Sequence, residues 1–142
     1  MDTGVIIREY NIPANDFVVA GEASSSVRKL LNQMGVAPDI VKRTSIAMYE
    51  AEINAVIHGH GGKAHVEIDG KKILIRISDE GPGIPNVELA MQEGWSTAPD
   101  SIREMGFGAG MGLPNIKKHA DEFRLDTEQG HGTSVNIIVH FR

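Results

Sequence analysis

The clearest pattern along the chain is a strict alternation of apolar and polar residues between Lys72 and Ser78. Three isoleucines fall on one face of this segment and the residues between them on the other, which is the two-residue period of a β-strand. A similar alternation occupies Ala64–Asp69. The Asp69-Gly70 pair between the two segments favours a tight turn, so they are predicted to form a β-hairpin. The isoleucines are Ile73, Ile75 and Ile77.

Other strands are predicted near both ends of the chain, where β-branched and aromatic residues alternate with polar ones. These are Val5–Asn11, the short segment Phe17–Ala20, and a closing antiparallel pair, Glu122–Thr127 and Thr133–Phe141.

Three segments carry the start and stop signals of helices. The first helix is predicted over Glu22–Met34 and ends at Gly35, a natural stop. The second begins near Ala37-Pro38-Asp39, with the proline in its first turn, and runs to about His58. The third is predicted over Leu113–Ala120. Large apolar residues recur along the second helix at helical spacing and are predicted to face the core. They are Ile46, Tyr49, Ile53 and Ile57.

The order of these elements predicts the fold class. Strands joined by tight turns favour an antiparallel or mixed sheet, and the helices would cover one of its faces. We therefore expect an α+β two-layer sandwich that forms one domain over residues 1–142. Between Asp79 and Gly112 the chain is mostly turns, with two short helical pieces. An irregular stretch of that length in a compact domain is usually a functional lid or binding loop.

Composition narrows the class of protein. The 142 residues carry a formal net charge of −5 and no cysteine, which excludes a disulfide scaffold and a cysteine-based zinc site. Basic residues are scattered, so no nucleic-acid surface is expected. No apolar run is long enough to span a bilayer, and the first residues do not resemble a signal peptide. These observations favour a cytoplasmic protein.

Two polar residues on the second helix are candidates for chemistry. Glu50 and Asn54 are four residues apart and therefore lie on one face, whereas Glu52 points elsewhere, about 200° round the helix from Glu50. An amide oxygen is a hard ligand suited to Mg²⁺, and a carboxylate can accept a proton from an attacking hydroxyl. Taken alone, the pair also fits an ordinary polar helix flank.

Two glycine-rich segments are candidate nucleotide sites. Asp79-Glu80-Gly81-Pro82-Gly83 follows the clearest strand, and its carboxylate can accept a hydrogen bond from an adenine amine. Gly106-Phe107-Gly108-Ala109-Gly110-Met111-Gly112 leads into the third helix, where exposed N–H groups suit phosphates. The spacing fits neither a P-loop nor a dinucleotide fingerprint. A tight turn and a hinge loop are the structural alternatives.

A further element, Gly130-His131-Gly132-Thr133, is by itself a hairpin turn, although the Thr133 hydroxyl could join a base pocket. In this order and spacing the motifs resemble the ATP-binding superfamily of gyrase, the ninety-kilodalton heat-shock chaperones, histidine kinases and MutL. Glu50-x-x-x-Asn54 resembles its N box and Asp79-x-Gly81-x-Gly83 its first glycine box. Gly108-x-Gly110-x-Gly112-Leu113 resembles its second glycine box.

The resemblance implies a role for each matching residue. Glu50 would be the general base, Asn54 would hold Mg²⁺, and Asp79 would bind the adenine amine with help from Thr133. Glycines would line the base pocket and wrap the phosphates of ATP or ADP, and residues 86–106 would form the ATP lid. Gly81 and Gly83 belong to the base pocket; Gly108, Gly110, Gly112 and the adjoining Leu113 belong to the phosphate loop. No motif identifies the cation for the γ-phosphate; Arg103, Lys117 and Lys118 are candidates.

A chain of this length resembles one branch in particular, the bacterial anti-sigma-factor serine/threonine kinases. That resemblance implies phosphorylation of a Ser or Thr on an anti-sigma-antagonist (STAS-type) protein and direct binding of a sigma factor. It leaves monomer and homodimer open. Two alternatives remain at this point: a non-catalytic nucleotide-binding module that sequesters a sigma factor, and a stand-alone ATPase.

Overall fold

The computed structural model describes residues 4–13, 20–57, 61–79, 81, 91, 112–128 and 132–141. Within these ranges there are three helices and five strands. The helices are α1 (Glu22–Gln33), α2 (Pro38–Ile57) and α3 (Gly112–His119). The strands are β1 (Ile6–Ile12), β2 (Gly62–Ile68), β3 (Lys72–Asp79), β4 (Glu122–Glu128) and β5 (Gly132–His140).

The five strands form one sheet in the order β1-β2-β3-β5-β4, and every neighbouring pair is antiparallel. Strand β5 is inserted between β3 and β4, so the last strand of the chain lies inside the sheet, next to the central strand β3. This insertion matters for the site, because the end of β3 and the start of β5 meet at the same edge.

The predicted hairpin is confirmed. Strands β2 and β3 pair in register from Gly62 opposite Asp79 to Ile68 opposite Ile73. At the turn, Oδ1 of Asp69 accepts hydrogen bonds from the backbone N–H groups of Lys71 and Lys72, at 2.7 and 2.9 Å. These two bonds hold the pKa of the Asp69 carboxyl below its usual range.

The three alternating isoleucines of β3 face the helices, as the pattern predicted. Ile73, Ile75 and Ile77 are buried and belong to one hydrophobic core with the inward-facing residues of β2 and β5. The other face of the sheet carries Arg76 and Asn136, whose side chains hydrogen-bond across the strands. The described residues therefore form the expected α+β two-layer arrangement, with an antiparallel sheet and helices on one face.

The predicted apolar stripe of α2 is wrong in part. Ile53 is buried, but Ile46 is only half-buried and Tyr49 is 38% exposed; the side chain of Ile57 lies outside the described residues. Large apolar side chains were a poor guide because small residues let α2 pack closely against the sheet and its neighbouring helices. The buried residues of α2 are Ile40, Val41, Thr44, Ala47, Met48, Ala51, Glu52, Ile53, Ala55 and Val56.

Most of the other predicted bounds agree with the structure to within about one residue. Strand β1 begins one residue later than Val5, and α2 ends at Ile57. Residues 17–19 of the short strand predicted over Phe17–Ala20, and both helical pieces predicted between Asp79 and Gly112, lie outside the described residues.

Candidate functional site

The end of β3 places Asp79 against the start of β5. Oδ1 of Asp79 accepts hydrogen bonds from the backbone N–H of Gly81 at 2.9 Å and of Thr133 at 3.1 Å. The first bond closes the turn that follows β3, and the second ties that turn to the neighbouring strand. The sequence predicted that Asp79 and Thr133 serve one base pocket, and the structure does bring them together.

Thr133 is also held through its side chain. Its hydroxyl lies 3.0 Å from the hydroxyl of Thr127 on β4, and the Thr127 hydroxyl donates to the carbonyl of Gly132 at 3.4 Å. Gly132 has a positive φ of 88°, a backbone conformation that an L side chain rarely adopts. The turn into β5 thus fixes the Thr133 hydroxyl on the same side of the sheet as Asp79.

Gly62 makes room for this edge of the site. It pairs with Asp79 across β2 and β3, and a Cβ atom there would collide with the carbonyl oxygen of Ser78. The same Cβ would lie 3.0 Å from the Cα of Asp79. Only glycine permits so close a backbone approach. No sequence pattern indicated why this position requires a glycine.

Glu50 and Asn54 lie one turn apart on α2, and both are half-buried. Burial raises the pKa of the Glu50 carboxyl; a side-chain hydrogen bond from Asn115 and the charge of His119 oppose that rise only in part. A carboxyl with a raised pKa in a polar, half-open position is suited to proton transfer. Asn115 and His119 are both on α3 and belong to no sequence motif.

Glu52 has a structural role. Its carboxylate is buried and accepts hydrogen bonds from the backbone N–H groups of Gly21, Ala23 and Ser24, at 2.9, 3.2 and 3.0 Å. These groups open α1, where the first N–H groups of a helix have no partner within it. The carboxylate of α2 therefore caps α1 from outside and interacts favourably with its positive end. The sequence indicated only that Glu52 points away from Glu50.

Helix α3 begins at Gly112, the last glycine of the predicted phosphate loop. Leu113 and Ile116 are buried in the core and fix the rotation of the helix. Lys117 and Lys118 are exposed on its other side. Gly112 is therefore at a helix N-terminus, the place where backbone N–H groups are available to an anion.

Arg43 of α2 binds the C-terminal end of α3. Its Nε donates to the carbonyl of His119 at 3.2 Å, and its Nη2 lies 2.8 Å from Oδ1 of Asp121. The backbone N–H of His140 and the Arg43 guanidinium together hold the pKa of the Asp121 carboxyl below its usual range. This ion pair joins α2 to the segment that leads into β4.

Several predicted site residues lie outside the described ranges: Gly83, Gly108, Gly110, Arg103 and the whole predicted lid over residues 86–106, except Met91. Among the described residues, a groove of about 560 Å³ lies on the open face of the sheet between β3, β5 and β4. Its lining includes Arg76, Arg124 and Asn136. That face is opposite the helices, so this groove is separate from the Asp79 edge.

The polar side chains that the structure describes at this site suit an adenine nucleotide bound together with a hard divalent cation. The Asp79 carboxylate and the Thr133 hydroxyl stand together at the sheet edge, and the Asn54 amide supplies an oxygen ligand of the kind that Mg²⁺ prefers. No helix in the described part of the chain is both long and apolar enough to cross a membrane.

Comparison with known proteins agrees with this arrangement. The family described as "Histidine kinase-, DNA gyrase B-, and HSP90-like ATPase" matches residues 39–142. The serine/threonine-protein kinase RsbT of Bacillus subtilis is 33% identical over 133 residues, which cover 89% of this chain and 90% of that protein. An anti-sigma F factor of Clostridium acetobutylicum is 29% identical over 124 residues, with 84% and 83% covered.

A solved structure shares the fold at much lower sequence identity. The RsbU and RsbW domains of Rv1364c from Mycobacterium tuberculosis superpose with a TM-score of 0.64 at 16% identity. The match covers 94% of this chain and 32% of that one. The fold described above is thus shared with this solved structure.

Proposed function

Because the chain belongs to the histidine kinase-, DNA gyrase B- and HSP90-like ATPase family, we propose that it is an ATP- and Mg²⁺-dependent serine/threonine protein kinase of the anti-sigma type. The observation that carries the kinase activity is the half-buried Glu50 carboxyl with its raised pKa, one turn from Asn54. Relatives named as an RsbT kinase and as anti-sigma F factors support the same role.

In the proposed complex, one group of residues binds the adenine base and another group binds the phosphates of ATP. Asp79 accepts a hydrogen bond from the adenine amine, and the Thr133 hydroxyl assists it. Gly81 and Gly83 border the base, while Gly108, Gly110, Gly112 and Leu113 bring backbone N–H groups and the start of α3 to the phosphates. Asn54 would hold Mg²⁺, which when bound supplies charge neutralisation at the phosphates.

Glu50 would take the proton in the transfer step. As the serine or threonine oxygen of the acceptor forms a bond to the γ-phosphorus, the bond from that phosphorus to the bridging oxygen breaks and ADP leaves. The hydroxyl proton moves to the Glu50 carboxylate. Phosphoryl transfer needs positioning and charge stabilisation more than covalent chemistry from the protein, and a well-placed base contributes about 10²–10⁴-fold.

The proposed acceptor is an anti-sigma-antagonist protein of the STAS type, and a sigma factor is the proposed second partner. The proposed location of the chain is the cytoplasm, where both of these partners would be found. The proposal includes neither nucleic acid nor membrane as a partner, and a homodimer is compatible with it. The relatives named as anti-sigma F factors also favour a second candidate function, in which the nucleotide-bound protein sequesters a sigma factor without transferring phosphate.

The test is a transfer assay with [γ-³²P]ATP, Mg²⁺ and STAS-domain proteins from the same organism, followed by mass spectrometry of the labelled product. The kinase predicts a Mg²⁺-dependent phosphoserine or phosphothreonine on one of them. A matched reaction with EDTA is the control. Tight binding of a sigma factor with no transfer to any STAS protein would favour the sequestering module, and release of free phosphate alone would favour a simple ATPase.

A further inference from the structure

The outer side of α2 carries an apolar stripe that the core does not use. Its members are Ile46, Tyr49 and Ile53, which the sequence pattern predicted to face the core. At 100° per residue, Ile53 lies about 200° round the helix from Ala51, which is a member of the core. None of the three belongs to the hydrophobic core that the described residues form. These three residues are called the outer stripe below.

The outer stripe lies beside the proposed base. Glu50 is about 40° round α2 from Ile46 and about 60° from Ile53, and it is the neighbour of Tyr49 in the chain. A general base must come within hydrogen-bond reach of the proton that it takes. A protein that presents a serine or threonine hydroxyl to Glu50 therefore has to cover part of the outer stripe.

The start of α1 holds the ring of Tyr49 in place. A Cβ atom added at Gly21 would lie 3.0 Å from Cε1 and 3.3 Å from Cδ1 of Tyr49, so the ring lies directly against this stretch of backbone. Gly21 has a positive φ of 97°, and its N–H donates to the buried Glu52 carboxylate at 2.9 Å. Tyr49 nevertheless remains 38% exposed. A tyrosine that is fixed before binding is typical of interface hot spots, because ordering it on binding costs little entropy.

Exposed basic residues lie near the other end of the outer stripe. Helices α1 and α2 run antiparallel, since the start of α1 contacts the second half of α2 and only four residues join the two helices. From the contact between Gly21 and Tyr49, Arg28 lies seven residues along α1 and Lys42 seven residues back along α2, which is about 10 Å in each case. Arg28 and Lys42 are therefore at the same level, and both are exposed. Lys42 is about 20° round α2 from Tyr49.

The charge of the helical layer indicates the chemistry of the protein that would cover it. In the described part of the three helices, basic residues outnumber acidic ones among the exposed charged positions. The basic residues are Arg28, Lys29, Lys42, Lys117 and Lys118, and the acidic ones are Glu22 and Asp39. The whole chain has a net charge of −5, so positive charge is concentrated on this side of the molecule. An acidic protein surface is complementary to it.

We propose that the outer stripe, together with the exposed basic residues beside it, is the docking surface for the acceptor protein. The acceptor would carry an apolar side chain and acidic residues near the serine or threonine that receives the phosphate. Tyr49 packs against the apolar side chain, and Lys42 and Arg28 bind the acidic residues. This inference rests on the kinase function proposed above. Because these residues hold the acceptor and take no part in transfer, they determine the KM for the acceptor and leave kcat unchanged.

The substitution Lys42→Glu tests the charged part of the surface. It reverses an exposed charge, so the fold should remain intact. The KM for the STAS-domain acceptor should rise roughly tenfold at low salt, and this difference from the wild type should shrink as salt screens the charges. The KM for ATP, and kcat at saturating acceptor, should stay within about threefold. Lys71→Glu makes the same charge change at the exposed turn between β2 and β3, and this control should behave like the wild type.

The substitution Tyr49→Ala tests the apolar part. The KM for the acceptor should again rise roughly tenfold, but without dependence on salt. Tyr49→Phe keeps the ring against Gly21 and should retain the KM of the wild type to within about threefold. If Tyr49→Ala instead loses kcat and ATP affinity together with no change in the KM for the acceptor, Tyr49 serves the fold and its docking role is overturned.

Binding of the same STAS-domain protein, measured by fluorescence anisotropy, separates this inference from the proposed function. If the wild type binds the acceptor and transfers no phosphate, the kinase function fails, and weaker binding by Lys42→Glu and Tyr49→Ala still supports the docking surface. Active transfer with an unchanged KM in both variants overturns the inference and leaves the kinase function intact. Weaker binding of a sigma factor alone, or a change in oligomeric state alone, would assign the surface to another occupant and overturn the inference. If the wild type binds no STAS-domain protein, the inference fails together with the function.

Discussion

The backbone N–H of Thr133 donates to Oδ1 of Asp79 over 3.1 Å, although 54 residues separate them in the chain. The bond exists because β5 is inserted beside β3. The first residues of β5 therefore lie against the turn that follows β3. The geometry of this edge thus depends on sheet topology, and the Asp79 carboxylate is held by backbone N–H groups before any nucleotide binds.

Asp79→Asn is predicted to abolish most nucleotide binding while leaving the fold intact. Asparagine keeps one oxygen for the N–H groups of Gly81 and Thr133. It replaces the other carboxylate oxygen by an NH₂ group, which donates and therefore opposes the adenine amine. A lost hydrogen bond to a charged group corresponds to roughly 1.5–3 kcal/mol, so ADP affinity should fall about ten- to a hundredfold or more in calorimetry.

The matched control for this substitution is Asp126→Asn. Asp126 is an exposed aspartate of β4 on the open face of the sheet, where it pairs with Arg124. The Asp126→Asn variant should bind ADP with the affinity of the wild type. Equal affinities for wild type and Asp79→Asn would show that Asp79 does not bind the base.

The sequence predicted the parts of this site that depend on local pattern. The alternation of β3 fixed which of its faces is buried, and it placed Asp79 at the end of that strand on the same side as the isoleucines. The contact with Thr133 was expected from the family resemblance alone, since no local pattern reveals which strands become neighbours in the sheet.

Long-range contacts account for what the sequence did not predict. Glu52 looked like a second polar residue of α2, and its partners lie 28 to 31 residues earlier, at the start of another helix. Asn115 lies in no motif, and its effect on the pKa of the Glu50 carboxyl depends on how α2 and α3 pack. The predicted stripe that included Tyr49 was wrong in part because α2 buries a different face, on which Ala47, Ala51 and Ala55 lie among larger apolar residues.

Glu52→Ala is predicted to destabilise the fold without a direct effect on chemistry. Removal of the carboxylate leaves the N–H groups of Gly21, Ala23 and Ser24 without their acceptor in a buried place. The expected loss is about 2–4 kcal/mol in the free energy of unfolding. Urea denaturation followed by circular dichroism measures it. Glu22→Ala, which removes an exposed glutamate at the start of α1, is the control and should change the free energy by about 0.5 kcal/mol or less.

The raised pKa of Glu50 predicts how stability depends on pH. In the window between the ordinary glutamate value of 4.5 and the raised folded value, the folded protein holds a proton that the unfolded chain has released. The contribution of Glu50 is therefore most favourable below the unfolded pKa and is lost as pH rises through the folded pKa. Glu50→Gln carries no such dependence.

We therefore expect Glu50→Gln to be more stable than the wild type at pH 7.5, by an amount that shrinks as the pH falls toward 4. Urea midpoints of the two proteins across this range provide the measurement, with Glu22→Gln as a control for the loss of an exposed carboxylate. A stability gain that grows toward acid pH would contradict the raised pKa.

We propose that Glu50 is the base of a protein kinase, and the most direct measurement is single-turnover transfer of the phosphoryl group from ATP to the unphosphorylated acceptor protein by Glu50→Gln. The account predicts a rate lower by about 10²–10⁴-fold, with ATP and ADP affinities within about threefold of the wild type in the same preparation. A variant that transfers phosphate at the wild-type rate would contradict the account, because the proton would then go to a group other than Glu50.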